Sequence, residues 1–267
     1  MTQPHLICID IDGTLTVHGC NRPSERNLAA LRAARQSGHR VCINTGRSFA
    51  NLPPELTTIP DVFDGFICAN GSYIRLEDIC IRNRAFPEDL IYALLQYFFT
   101  QDDRFCLFEG EKLLLKTRDY SDLYGGPGTR IHAPEELFDR YKGLGVNVIS
   151  CEGHLPQAFF DRFGTVLNIF QCETFADCTL PGCSKAVGLE LTAAHYGIAP
   201  ECTVAIGDSA NDLPMLRKAG TAVVMGNGEE KVRAVADLVT DTNDHDGVAK
   251  ALETLFPSIK NLYSKNA

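Results

Sequence analysis

Short apolar runs that end in polar residues recur along the chain and predict the strands of a parallel sheet. The first run covers residues 6–9 and leads directly into Asp10. Similar runs cover residues 39–44, 65–69 and 203–206. A strand that helices cover on both faces has such a continuous apolar sequence. These segments therefore predict an α/β fold in which buried strands alternate with helices.

Apolar residues at helical spacing separate the predicted strands. Ser24 precedes one such stretch and Gly38 follows it, which predicts a capped amphipathic helix. The first 44 residues thus form a βαβ unit, whose crossover is right-handed. The alternation returns after Ser184. There we expect helices over residues 213–218, 229–236 and 247–255, and strands over residues 221–225 and 238–240.

The middle of the chain has a different pattern. Pro87 opens a strongly amphipathic helix, and short strands and helices follow without any acidic residues at the strand ends. We interpret this stretch as a smaller α+β domain inserted into the first. The expected division is a Rossmann-like, doubly wound parallel core of residues 1–83 and 181–267, and an inserted domain of residues 84–180.

Composition narrows the classes of function. The chain has 267 residues, 45% of them hydrophobic, and a net charge of −9. Nucleic acids and anionic membrane surfaces attract excess Lys and Arg, so neither is expected as a partner. No apolar run approaches the ~20 residues of a membrane span, and the N-terminus lacks the pattern of a signal peptide. We therefore expect a cytoplasmic protein.

Eleven cysteines, an odd number without a CxxC pair, indicate reduced thiols rather than a disulfide framework. Cys172, Cys178 and Cys183 form the one cluster that suggests zinc. Regular spacing and a neighbouring histidine are both missing, so packing as small hydrophobic side chains is favoured.

Polar groups collect where the predicted strands end. Asp10 and Asp12 lie one residue apart, and two carboxylates so close together require a cation or a proton between them. Because carboxyl ends of parallel strands share one edge of a sheet, distant loops can converge there. The groups brought together in this way are Asp10, Asp12, Thr45, Asp208, Asn211 and Asp212, with Lys185 from the start of a helix.

Each motif alone also has a simpler explanation. Asp followed by Gly is ordinary turn chemistry, residues 45–47 fit a strand-to-helix turn, and Lys185 fits a solvated surface lysine. The loop at residues 207–212 is harder to explain in this way, because acids behind a buried strand are costly without a ligand.

Together the motifs resemble the haloacid dehalogenase (HAD) superfamily, most of whose members are phosphatases. The matching segments are DIDGTLT at residues 10–16, TGR at 45–47, the helix that carries Lys185, and GDSANDLPML at 207–216. ANG at 69–71 and NDHDGVAKAL at 243–252 are similar to the Cof-type subfamily, subclass IIB, which carries a C2B cap between the second and third motifs. The inserted domain would be this cap.

The resemblance implies catalytic roles for three residues. Asp10 would attack phosphorus and become an aspartyl phosphate. Asp12 would protonate the leaving oxygen and then deprotonate the hydrolytic water. Lys185 would bind the phosphoryl group and offset the crowded negative charge. Ala186 stands where many relatives have Gly, which leaves these assignments intact.

The resemblance also implies Mg²⁺ as cofactor and a set of substrate contacts. The implied metal site comprises Asp10, the backbone carbonyl of Asp12, and Asp208, with Asp212 supporting either the metal or Lys185. The implied phosphoryl-binding residues are Thr45, Gly46 and Asn211. Arg47 fits a substrate contact and a salt bridge to a neighbouring loop equally well.

The expected function is a Mg²⁺-dependent phosphatase of small phosphomonoesters, such as sugar phosphates or phosphorylated cofactors, acting as a monomer or homodimer. Specificity would come from the cap, with Arg118, Tyr120 and His132 as candidates. One alternative is a phosphomutase resembling phosphomannomutase, although relatives of that kind lack the TGR at residues 45–47. Another is a catalytically silent protein that binds a phosphorylated ligand, against which the intact Asp10 and Asp12 argue.

Overall fold

The computed structural model describes residues 3–17, 19–101, 104–118, 128–141, 143–172 and 174–263. The strands are β1 (Leu6–Ile9), β2 (Arg40–Asn44), β3 (Gly65–Cys68), β4 (Tyr73–Leu76), β5 (Ile79–Asn83), β6 (Cys106–Gly110), β7 (Leu114–Lys116), β8 (Thr129–Arg130), β9 (Val146–Glu152), β10 (Asn168–Gln171), β11 (Phe175–Thr179), β12 (Thr203–Gly207), β13 (Thr221–Val224) and β14 (Leu238–Val239). The helices are α1 (Glu25–Gln36), α2 (Pro54–Thr57), α3 (Glu88–Thr100), α4 (Glu135–Tyr141), α5 (Gln157–Phe163), α6 (Lys185–Tyr196), α7 (Leu213–Lys218), α8 (Glu230–Arg233), α9 (Gly247–Leu255) and α10 (Pro257–Tyr263).

One sheet, which we call the core sheet, has eight strands among the described residues, in the order β14-β13-β12-β1-β2-β3-β4-β5. Its strands run parallel from β14 to β3, and two antiparallel pairings add β4 and β5. The central register aligns Ile9 with Ile43 on one side and with Ile206 on the other. The loops that follow β1, β2 and β12 therefore share one edge, and the predicted Rossmann-like α/β fold is confirmed.

Helices cover both faces of the core sheet because alternate side chains of a strand point to opposite faces. Ile7 and Ile9 pack with α1, α9 and α10, whereas Leu6 and Cys8 pack with α6, α7 and α8. This double covering explains why the strands are apolar throughout. It leaves the ends of the strands as the places where polar groups can collect.

The second sheet, which we call the cap sheet, has six strands in the described ranges, in the order β10-β11-β9-β6-β7-β8. Its apolar face packs against α3, α4 and α5 through residues such as Phe98, Phe108 and Phe159. All of its strands come from the predicted insertion. We retain as a proposal that residues 84–180 form a separate domain with the predicted boundaries.

Several elements differ from the sequence-based expectations. β11 covers residues for which the sequence pattern predicts no strand, because Asp177 and Thr179 interrupt its apolar character. The helix expected over residues 229–236 is shorter, since α8 ends at Arg233. Tyr120 lies outside the described residues. Within the described ranges, none of the helices is long and apolar enough to span a membrane.

Candidate active site

The loop after β1 is folded tightly against the loop after β12. Gly13 has a φ of +81°, and a Cβ added there would lie 2.5 Å from Asp208 Oδ2. Only glycine therefore allows this approach. The neighbouring Thr14 hydroxyl donates a hydrogen bond to Asp208 Oδ1 at 2.6 Å. The turn thus brings Asp10 and Asp208 to the same place, although 198 positions separate them in the sequence.

Lys185 is fully buried and links three parts of the site. Its Nζ donates to Asp10 Oδ1 at 2.8 Å, to Asp212 Oδ1 at 2.6 Å and to Asn211 Oδ1 at 3.4 Å. Ser184 caps α6 and directs the lysine inward from the first turn. Burial alone lowers a lysine pKa, but the charges of Asp10 and Asp212 outweigh it and raise the pKa of Lys185 above its usual value. The lysine is a charged member of the site and not a solvated surface residue.

Asp212 shapes the loop after β12. Its Oδ2 accepts the backbone N–H groups of Asp208 and Ser209, both at 3.0 Å, while its Oδ1 faces Lys185. Gly207 leaves room for it, since a Cβ there would lie 2.6 Å from Asp212 Cγ. Two roles were implied for Asp212, support of Lys185 and binding of the metal. These hydrogen bonds favour the first, because both carboxylate oxygens already hold Lys185 or the loop.

Three carboxylates lie close enough to hold a metal ion. One oxygen from each of Asp10, Asp208 and Asp212 lies within 4.8 Å of the others. Burial and then the charge of Asp212 raise the pKa of Asp208 to about 7. Burial likewise raises the pKa of Asp10 well above its ordinary range, and Lys185 only partly opposes this.

The donor set suits a hard divalent cation. No described residue donates a hydrogen bond to Asp10 Oδ2 or to Asp208 Oδ2, although both carboxylates lie in the crowded site. Carboxylate oxygens are the ligands that Mg²⁺ prefers, and a cation there would stabilise the ionised carboxylates, whose pKa values burial and then mutual repulsion raise. The residues therefore fit the implied metal.

The side chain of Asp12 lies outside this group of three. Arg47 binds it through two parallel hydrogen bonds, Nε to Oδ2 and Nη2 to Oδ1, each at 2.7 Å. The Asp12 side chain is 42% exposed, so it stands at the mouth of the site. Arg47 also donates to the backbone carbonyl of Asn51 at 3.3 Å. The sequence left a substrate contact and a salt bridge open for Arg47. The structure has the salt bridge, and its partner is Asp12, the candidate acid/base.

Thr45 and Gly46 lie in the loop after β2, and Asn211 approaches Gly46 from the loop after β12. Thr45 is buried directly after β2, and its hydroxyl accepts the backbone N–H of Arg47 at 3.2 Å. A Cβ added at Gly46 would lie 2.8 Å from Asp177 Oδ2, 3.5 Å from Asn70 Nδ2 and 3.6 Å from Asn211 Nδ2. Gly46 is therefore the point where two core loops and the cap sheet converge.

Sequence reasoning missed the polar face of the cap sheet. Asp177 Oδ2 accepts Asn70 Nδ2 at 3.0 Å, and Glu109 Oε2 accepts Asn51 Nδ2 at 2.9 Å. Ser150 donates to Asp177 Oδ1 at 2.8 Å. The available signal was a single acid within each short apolar strand, which is costly to bury without a partner.

Of the cap residues proposed from the sequence, His132 and Arg118 lie among the described residues. His132 is exposed, and its backbone N–H donates to Glu136. Arg118 follows β7. Their roles in specificity stay predictions.

A family model described as haloacid dehalogenase-like hydrolase matches residues 7–252. The chain belongs to this family. Among curated proteins it is 28% identical to the 5-amino-6-(5-phospho-D-ribitylamino)uracil phosphatase YitU of Bacillus subtilis, over 96% of this chain and 98% of that one. It is 27% identical to a phosphoglycolate phosphatase of Archaeoglobus fulgidus, over 96% and 98% of the two chains.

Solved structures of the family share the whole architecture. The phosphatase BT1666 of Bacteroides thetaiotaomicron has a TM-score of 0.79 at 30% identity, covering 94% of this chain and 95% of that one. The subclass IIB sugar phosphatase BT4131 has a TM-score of 0.80 at 28% identity, covering 94% and 98%. The predicted HAD superfamily hydrolase of subclass IIB is confirmed by these similarities.

Proposed function

We propose that this protein is a Mg²⁺-dependent phosphatase of small phosphomonoesters, such as sugar phosphates or phosphorylated cofactors, and that it works through an aspartyl-phosphate intermediate. The observation that carries the proposal is the buried cluster in which Lys185 holds Asp10 beside Asp208. That cluster combines a nucleophile, a cation and metal ligands at one sheet edge. The four similar proteins named above are all described as phosphatases, which supports the same chemistry.

In the proposed reaction, a carboxylate oxygen of Asp10 attacks phosphorus as the bond to the leaving oxygen breaks, and Asp12 gives that oxygen its proton. Water then attacks the phosphorus of the aspartyl phosphate. Asp12 takes the proton of this water, the bond between Asp10 and phosphorus breaks, and inorganic phosphate leaves. Both carboxylates end in their starting protonation states.

The surrounding residues hold the phosphoryl group and the acid/base. The Thr45 hydroxyl, the Gly46 backbone N–H and the Asn211 amide bind phosphoryl oxygens, and Lys185 offsets their charge. Arg47 positions the Asp12 carboxylate through its two hydrogen bonds.

The metal would be held by Asp10, Asp208 and the backbone carbonyl of Asp12. Bound there, Mg²⁺ would supply Lewis-acid stabilisation of the charge that develops on the phosphoryl oxygens.

The test measures phosphate release across a panel of phosphorylated metabolites, with Mg²⁺ or with EDTA. We expect the intact protein to exceed Asp10→Asn by at least about 10³-fold, and EDTA to abolish the activity until Mg²⁺ is restored. Asp161→Asn makes the same charge change at an exposed position on α5 and should keep the full rate. Equal rates for Asp10→Asn and the intact protein would refute the mechanism. Isomerised sugar phosphate appearing faster than free phosphate would identify a mutase instead.

A further inference from the structure

Two buried carboxyl groups of the cap sheet lie against the loops that follow β2 and β3. Asp177 is 4% exposed and Glu109 is 1% exposed. Asp177 lies close to the candidate phosphoryl-binding loop, because its Oδ2 would be 2.8 Å from a Cβ at Gly46. The proposed catalytic chemistry assigns neither acid a task.

The surroundings of these acids are rich in hydrogen-bond acceptors. Asn70 Oδ1 is buried, and no described residue donates a hydrogen bond to it. Thr179 Oγ1, on the same face of β11 as Asp177, is buried and also has no partner within the described part of the chain. Buried polar atoms without partners are uncommon in folded proteins. Asn70 Oδ1 can only accept, so it points to a ligand that supplies a donor, and the Thr179 hydroxyl can accept from the same kind of group.

Charge on the cap sheet is distributed unevenly. The register places Asp177, Ser150, Leu107, Lys116 and Arg130 in one row across β11, β9, β6, β7 and β8. The two basic residues are thus three and four strands from Asp177, roughly 14 and 19 Å at the usual strand spacing. The acidic end of the row is the end that lies over the loop at Gly46.

The basic groups close to these acids already bind other carboxylates. Arg47 pairs with Asp12, and Lys185 pairs with Asp10 and Asp212. Burial and then the charge of Asp177 raise the pKa of Glu109 to about 7, so ionisation of the two acids is mutually disfavoured. A third negative charge beside them would add to this repulsion.

We propose that Asp177 and Glu109 select the leaving group of the substrate, accepting hydrogen bonds from its hydroxyl or ammonium groups and disfavouring a second anionic group such as a carboxylate. The inference rests on the proposed function, since it concerns the part of the phosphomonoester beyond the phosphoryl group. A leaving group that enters replaces the hydrogen bonds from Asn70 and Asn51, and only a donor can do so without leaving the carboxylates unpaired.

The test compares substrates that differ in one charge. The pairs are glycerol 3-phosphate with 3-phosphoglycerate, ribose 5-phosphate with 5-phosphoribonate, and glucose 6-phosphate with 6-phosphogluconate. Binding is measured by calorimetry in the presence of Mg²⁺ with Asp10→Asn, so that turnover is not required. We expect the neutral member of a pair to bind about tenfold more tightly, which corresponds to about 1.4 kcal/mol.

Variants of Asp177 and Glu109 then distinguish a role in substrate selection from a purely structural contact between the sheets. Asp177→Asn and Glu109→Gln, each placed in the Asp10→Asn protein, should reduce the tenfold ratio to about threefold or less. Asp161→Asn in the same background is the matched control and should leave the ratio unchanged. Thermal melts establish that each variant is folded.

Three results would overturn the inference. One is tighter or equal binding of the carboxylate members, and another is the absence of binding by every pair. The third is a change of both members by the same factor in the Asp177 and Glu109 variants, as expected if these acids only hold the sheets together. Failure of the proposed function has a different signature, because it would abolish phosphate release without changing the ratio of binding constants.

Discussion

Replacing Lys185 by Met removes the one charge that the buried carboxylates share. The Lys185 side chain has no exposed surface, and the side chains of Asp10 and Asp212 are 6% and 0% exposed. Methionine has a similar length and fills the space, so little of the effect comes from a cavity. What remains is a pair of buried acids without their cation.

The magnitude follows from the geometry of the pair. Removing one partner of a buried ion pair costs about 3–5 kcal/mol, because the other charge is left uncompensated. Lys185 contacts two carboxylates at 2.8 and 2.6 Å, so we expect a loss in the upper part of this range. The exposed pair between Lys218 and Glu190 provides the contrast, and Lys218→Met should cost at most about 1 kcal/mol.

The cost should depend on pH in a defined direction. Burial and neighbouring acids raise the pKa of Asp10 in the folded protein, and Lys185 opposes that rise. A carboxyl group whose folded pKa is raised destabilises the protein as pH increases through that pKa, because the unfolded chain ionises more easily. Without Lys185 this loss grows. The difference between Lys185→Met and the intact protein should therefore be larger near pH 8 than near pH 5.

The assay is urea unfolding followed by circular dichroism at both pH values, first in EDTA and then with Mg²⁺. Added Mg²⁺ should stabilise Lys185→Met more than the intact protein, since a cation at Asp10 and Asp208 replaces part of the lost charge. Equal free energies of unfolding for Lys185→Met and the intact protein in EDTA near pH 8 would refute this reasoning. A difference that is independent of pH would refute its electrostatic part.

Two further predictions concern the junction of the two sheets. Gly46→Ala places a Cβ 2.8 Å from Asp177 Oδ2, so the Asp177 carboxylate must move away from the loop, and kcat/KM should fall about 10- to 100-fold while the melting temperature changes little. Steady-state kinetics check this, and an unchanged kcat/KM would show that the contact is irrelevant to turnover. In the folded protein the pKa of Glu109 is raised from 4.5 to about 7. The unfolded chain therefore ionises first, and the folded protein loses about 3 kcal/mol of stability by the time the pH has risen through 7. Glu109→Gln should therefore gain about that much stability relative to the intact protein between pH 4 and pH 8, as measured by urea unfolding, and parallel pH profiles would contradict the assignment.

The core and its polar edge could be predicted from the sequence because local rules and the global fold agree there. A continuous apolar run before Asp10 indicates a strand covered on both faces, and parallel strands bring their carboxyl ends to one edge. The contact between Lys185 and Asp10 follows from that topology. The resemblance to known motifs added the roles, and the fold then gave these distant residues a common location.

The cap sheet was less predictable because its polar residues are buried by contacts between distant segments. β11 packs one face against α3 and α5, and Asp177 on its other face contacts Asn70. No residue near Asp177 in the sequence indicates this partner. Glu109 is satisfied by Asn51, which precedes it by 58 residues. Patterns of local hydrophobicity carry no information about such distant partners, so they do not predict that these acids are buried.

The contacts between the two sheets bear on how a substrate would enter the proposed site. Asp10 is only 4% exposed, and under the proposed function a phosphomonoester would reach it once Asp177 and Glu109 separate from Asn70 and Asn51. Each of these hydrogen bonds to a charged group contributes about 1.5–3 kcal/mol, and water replaces them when they break. The net free energy needed to break these hydrogen bonds is therefore small, and a leaving group with donors can take the place of the asparagines. The same two acids that join the two sheets would then, under the proposal above, recognise the leaving group of the substrate.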